Sequence, residues 1–211
     1  SFNSGWIIYD TSFNLNQYTS GEYTIQFDIA DKLGTKAQYT QIPIFLDNTP
    51  PITQINLNPS TPNGENGWYN TGVWVGFTSR DDDEGSGVDH VEYIVDDGTT
   101  WVEYGRSFPV SSDGQHVVKA RSIDKSGNIG AIVISEFKID KNMPNINIEN
   151  PKENALIQDS IQFIIKAFDD TSRVENVFIT IGENHNKVFT PLSDYEDIVL
   201  TYDSINEKWV Y

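Results

Sequence analysis

An all-β sandwich architecture is the fold class that this sequence predicts, on three observations. Short runs alternate apolar and polar residues with a period of two, and they are rich in β-branched and aromatic types. Gly, Asp, Asn and Pro separate them at sandwich-like spacing. No window carries a helical period long enough to define a helix. The runs are YTIQFDI (Tyr23 to Ile29), VWVGF (Val73 to Phe77), VEYIV (Val91 to Val95), IQFIIKAF (Ile161 to Phe168) and VFITI (Val177 to Ile181).

Composition bounds the class. The 211 residues include five Trp, ten Tyr and eleven Phe, enough to build the cores of one large or two ordinary domains. No apolar run approaches the roughly eighteen residues of a membrane span, and Ser1 opens on no signal-like segment. Zero cysteines exclude disulfides, thiol catalysis and thiolate metal sites. The net charge of -17, with 14 basic residues scattered among 31 acidic ones, argues against a nucleic-acid partner. Such a surface suits solubility, a salty medium or the collection of divalent cations.

The chain repeats itself. GEYTIQFDIADKLGTKAQYTQIPIFLDNTPP from Gly21 aligns without a gap on GQHVVKARSIDKSGNIGAIVISEFKIDKNMP from Gly114, at an offset of 93 residues. Gly21 meets Gly114, Asp31 meets Asp124, Gly34 meets Gly127, Asp47 meets Asp140 and Pro51 meets Pro144. The matches fall at turns and linkers, where backbone geometry most restricts residue type. Further on, VWVGFTSRDD resembles IQFIIKAFDD, and GSGVDHVEYIV resembles TSRVENVFITI. A period near 93 residues is the size of one Ig-like sandwich.

The expected domains follow. Residues 1–46 hold the last strands of one Ig-like domain, 47–51 a linker and 52–140 a complete sandwich of seven strands. A second linker, 141–145, leads to residues 146–211, the first strands of another. The closing NEKWVY (Asn206 to Tyr211) reads as a strand with no partner after it, and it would run head to tail into Trp6-Ile7-Ile8-Tyr9. We therefore expect copies of the chain to be partners, with residues 1–46 of one completing 144–211 of the next. The two versions are separate subunits in a fibre and one period of a covalent tandem array.

GSGV followed by VEYIVDDGTTWVEY, then DGQHVVKARSIDKSGNIG, then a KID or LDNTPP linker, resembles the Ig-like repeats of bacterial and archaeal surface proteins. The resemblance covers nearly all of residues 49–141. It implies an extracellular or cell-surface setting and the role of a spacer, stalk, adhesin segment, filament or surface-layer unit, a choice that fold alone does not make. The first copy departs from the pattern at DKLGTK, where Thr35 stands in place of Asn128.

RDDDEGSGVD (Arg80 to Asp89) forms the loop between strands 73–79 and 88–95, at the pole where the turn with Asp124 and the linker with Asp47 arrive. Hard oxygen ligands from several loops suit Ca²⁺, so Asp47, Asp81, Asp82, Asp83 and Asp124 are candidate ligands. Asp140, Asp169 and Asp170 are their counterparts at the next junction, with Asp31 supplied by the completing half. The spacing fits no EF-hand. The same residues also read as ordinary Asx-turns and solvated loop.

Trp68 and Trp74 are candidates for stacking on sugar rings, with Trp68 the better placed for exposure; packing is the alternative. Trp101 with Tyr104, and Trp6 with Tyr9, recur in two copies and read as packing residues. His116 takes the place of Tyr23 at a strand start and reads as structural. No nucleophile elbow, zinc-protease motif or phosphate loop is present, so we expect no enzyme. The function expected is a non-catalytic extracellular structural protein, a unit of a filament, stalk or surface layer. The alternative is an adhesin or a carbohydrate-binding spacer module that binds a glycan or surface receptor.

Overall fold

The structure, a computed structural model, describes residues 12, 14–185, 188–191, 198–203 and 208–210. It is all-β, and its one helical feature among these residues is a 3₁₀ turn at Glu65–Gly67. The first strands are β1 (Gly21–Phe27), β2 (Thr40–Leu46), β3 (Ile52–Asn58), β4 (Trp68–Tyr69), β5 (Val73–Arg80) and β6 (Val88–Val95). Next come β7 (Val102–Glu103), β8 (Phe108–Val110), β9 (Gly114–Asp124), β10 (Val133–Ile139), β11 (Asn145–Asn150) and β12 (Ile164–Phe168). The last are β13 (Phe178–Ile179), β14 (Gly182–His185), β15 (Val188–Pro191), β16 (Ile198–Val199), β17 (Thr201–Asp203) and β18 (Lys208–Val210). One five-stranded sheet runs β4-β10-β9-β6-β7, and a three-stranded sheet runs β3-β5-β8. Two sheets in this order are those of an Ig-like sandwich.

The chain falls into two compact units. The first comprises Ser1–Ser60, Trp74–Pro109 and His116–Glu136. Alternation along β5 and β9 buries Val75, Phe77, Val118 and Ala120 while their neighbours face outward. Phe77 meets Tyr104 edge-on at 4.8 Å, and Tyr93 stacks on Phe108 at 4.6 Å, an aromatic core of the kind the sequence supplies in excess. Thr53 and Ser122, both buried, satisfy one another through a 2.7 Å hydroxyl–hydroxyl bond. His116 is buried with its Nδ1 3.0 Å from the Asp96 carboxylate, in the structural role expected of it.

The second unit comprises Thr61–Val73, Val110–Gln115 and Phe137–Tyr211. Here β4 lies parallel to β10, and Tyr69 packs edge-on against Phe137 at 6.1 Å. A separate small core gathers Ile165, Val177 and Leu200, with Ala167, Val174 and Ile179 against it.

Three expectations change at this level. The strand expected over Ile161 to Phe168 starts at Ile164, because its ladder with β11 slips between Ile148 and Asn150 and the Asn150 amide bonds the Gln162 carbonyl. The run Val177 to Ile181 keeps only Phe178–Ile179 as strand, paired with β16. Within NEKWVY the described residues Lys208–Val210 form β18, which pairs antiparallel with both β12 and β17, strands that precede it in the chain. Trp6 and Tyr9, the Trp209 side chain and Tyr211 lie outside the described residues.

Candidate cation-binding junction

Three chain segments bring Asp47, Asp81 and Asp124 together. Asp47 follows β2, Asp81 follows β5 and Asp124 ends β9, and one carboxylate oxygen from each lies within 4.8 Å of the others. Asp124 is only 2 % exposed and Asp47 is buried too.

Local turn chemistry holds each carboxylate. Asp47 accepts from the Thr49 N–H (3.0 Å) and the Ser20 hydroxyl (3.2 Å) on one oxygen, and from the Ser86 N–H (2.7 Å) on the other. Asp81 accepts from the Asp82 and Gly87 N–H groups at 3.0 and 2.8 Å. Asp124 accepts from the Asn128 N–H and from its side-chain amide, both at 2.8 Å. That same amide donates to the Asp47 carbonyl at 3.0 Å, tying the linker to the turn. Burial pushes the Asp47 carboxyl up, but the bonds from Ser86, Thr49 and Ser20 outweigh it and hold the group below its ordinary value. A charged carboxylate is thus stabilised in place. Like charges crowded this closely would repel one another, and a cation between them would offset that.

Asp82 and Asp83 do not join the group; both are exposed on the loop. Gly85 lets the loop fold tightly, since a Cβ there would stand 2.5 Å from an Asp81 carboxylate oxygen.

The arrangement recurs. Asp140 accepts from the Asn142 N–H at 3.0 Å and the Ser172 N–H at 3.1 Å, repeating the bonds of Asp47 to Thr49 and Ser86. Asp169 accepts from Thr171, Ser172 and Arg173 N–H groups at 2.9, 2.8 and 3.2 Å. Burial raises the Asp169 pKa, and those backbone bonds together with Asp140 bring it below its ordinary value. Gly87 at φ 84° and Arg173 at φ 68° occupy the same left-handed place. Asp170 is exposed and takes no part in these bonds. Asp31 is held by its own turn, where the Thr35 N–H donates at 2.8 Å and leads the bonds that hold the carboxyl below its ordinary value. Ser86 and Ser172, which bridge loop to linker, were missed as site residues, although GSGV and TSRV align them.

The tryptophans reverse their expected order. Trp68 is half-buried with the Lys138 ammonium 4.8 Å from its ring centre, because β4 is tucked beside β10. Trp74 is the exposed one, at 50 %, and lines a shallow cavity of about 310 Å³ with Asn56, Asn58 and Ser107. Trp101 lies under the Arg121 guanidinium at 4.2 Å.

The fold and the turn-built junction define an Ig-like β-sandwich module. The family model of the bacterial Ig-like domain (group 3) matches residues 8–69, a stretch that includes Asp47. Domains of this family typically occur in surface or extracellular proteins and are generally non-catalytic. A search of curated proteins found no match. No helix among the described residues is long and apolar enough to cross a membrane.

Proposed function

We propose that this chain is a non-catalytic structural unit of a cell-surface filament, stalk or surface layer, in which Ig-like sandwiches follow one another head to tail. The observation that carries the reading is the recurrence of one joint. Asp47 with Thr49 and Ser86, and Asp140 with Asn142 and Ser172, make the same backbone bonds 93 residues apart along the linkers. Repetition of the linker bonds as well as the sandwiches is what a chain of like modules in a stalk or filament calls for.

In this reading a divalent cation sits among Asp47, Asp81 and Asp124 and stiffens the joint, with Asp140 and Asp169 as the counterpart. Labelling intact cells of the source organism with antibody against the chain tests the setting. Signal on unbroken cells is expected; signal only after lysis would overturn the proposal.

Trp74 favours a second reading, a glycan-binding spacer, since its exposed ring borders Asn56, Asn58 and Ser107. Polysaccharide retention of the chain that is lost in Trp74→Ala would select it over the first reading.

A further inference from the structure

We propose that the β1–β2 hairpin of one chain inserts into the second unit of another copy, where it takes the positions that β9 and β10 hold in the five-stranded sheet. The inference rests on the head-to-tail reading above and names its contacts.

The hairpin is a finished duplicate of β9 and β10. Its turn shares backbone bonds with theirs: Thr35 N–H to Asp31 at 2.8 Å matches Asn128 N–H to Asp124 at 2.8 Å. Ala37 N–H to the Ile29 carbonyl matches Gly130 N–H to the Ser122 carbonyl, both at 2.8 Å. Gly34 and Gly127 share a left-handed backbone, at φ 84° and 91°. Yet Ile25, Phe27 and Ile29 are exposed where Val118, Ala120 and Ser122 are fully buried. Among the described residues the hairpin therefore presents an apolar face that no core covers, an exposure that soluble proteins avoid.

The second unit holds the matching edge. The pairing of β13 with β16, Phe178↔Val199 and Ile179↔Ile198, repeats that of β6 with β7, Glu92↔Glu103 and Tyr93↔Val102. Leu200 N–H to the Val177 carbonyl likewise repeats Tyr104 N–H to the Val91 carbonyl. In the larger sheet the other side of β6 carries β9, in the register Val91↔Ser122, Glu92↔Arg121 and Tyr93↔Ala120. Among the described residues β13 is paired on the β16 side alone. Beside it lies an open apolar groove of about 580 Å³ lined by Ile146, Ile148, Phe163, Ile165, Phe178 and Ile179.

Superposing the two registers sets Ile29 opposite Val177, Asp28 opposite Phe178 and Phe27 opposite Ile179. A paired exchange of residue types agrees with this placement. The buried hydroxyl pair Thr53 and Ser122 has its counterparts in Ile146 and Ile29, by the β3–β5 and β11–β12 registers and the 93-residue offset. Both hydroxyl residues have become isoleucine together, and those isoleucines are 62 % and 68 % exposed. A polar contact replaced on both sides by an apolar one is what a preserved contact requires. Two positions differ: Thr35 replaces Asn128, which removes the amide clamp, and Ala37 replaces Gly130, where a Cβ would stand 2.3 Å from the Pro51 carbonyl. The joint made by insertion is therefore more open at Pro144 than the joint at Pro51.

The chain has no native cysteine, so disulfide trapping reads the register directly. Asp28→Cys chain mixed with Phe178→Cys chain under mild oxidation should give a covalent heterodimer as the main product. Asp28→Cys mixed with Phe168→Cys should not, and adding Ile29→Asp to the donor chain should abolish the product while its own fold, judged by circular dichroism, persists. Absence of the heterodimer overturns the proposal. So does an intramolecular disulfide in dilute chain carrying both cysteines, which would place the hairpin within its own copy. A folded monomer whose antibody still labels intact cells overturns insertion and leaves the structural-module reading standing. Lack of cell labelling with the heterodimer present does the reverse.

Discussion

At the scale of single residues, the carboxylate of Asp47 and the hydroxyl pair inside the first unit carry separable consequences. Asp47 has its pKa held below the ordinary value by three donors. A group depressed in this way stabilises the fold above its unfolded pKa, about 3.9, and the contribution disappears as pH falls through the lower folded value. Asp47→Asn should therefore lower Tm at pH 7, and the loss relative to wild type should shrink in a titration below about pH 4. Thr53→Val leaves the Ser122 hydroxyl buried without its partner and should cost about 1–3 kcal/mol in urea unfolding. Thr53→Val with Ser122→Ala should recover most of that loss. A double variant no better than the single would show that the pair does not act as a unit.

At the scale of elements, alternation explains β5 and β9, and turn residues explain the hairpins that end at Asp31 and Asp124. Gly127, at φ 91°, closes the second of these turns in a conformation that L side chains avoid. Gly127→Ala should destabilise by about 1 kcal/mol or more, while Gly105→Ala, where an added Cβ meets nothing within 4 Å, should be close to neutral in the same denaturation assay. The strands β5 and β6 were legible nearly to the residue, because period two and the flanking Asp and Gly signals agree. β12 and β13 were legible only as apolar runs. Their lengths depend on how far a neighbour's ladder extends, and the Asn150 slip and the β16 pairing are long-range facts.

At the scale of the whole molecule, a net charge of -17 opposes close approach of copies, and carboxylates gathered at a joint add to that opposition. If calcium occupies the Asp47, Asp81 and Asp124 joint, chelator should lower Tm by several degrees, and Asp81→Asn should mimic the chelator. An unchanged Tm in calorimetry with and without millimolar calcium would remove the metal from the proposal. Raising salt to about 0.5 M should speed any association between copies by screening their mutual repulsion. Light scattering against ionic strength checks this, and a rate that falls with salt would show that attraction between unlike patches dominates.

The sequence by itself determined the β class and put Asp47, Asp81 and Asp124 among a wider set of candidate ligands, because alternation and turn residues are local signals. Which acidic residues enter the joint was decided by tertiary structure alone. Asp82, Asp83 and Asp170 have the same chemistry as their neighbours, but the backbone donors point elsewhere. Exposure of Trp74 rather than Trp68 was decided in the same way. Trp68 sits on a two-residue strand beside β10, whose Lys138 lies over its ring, and nothing in the local residue order records that a distant strand will lie there.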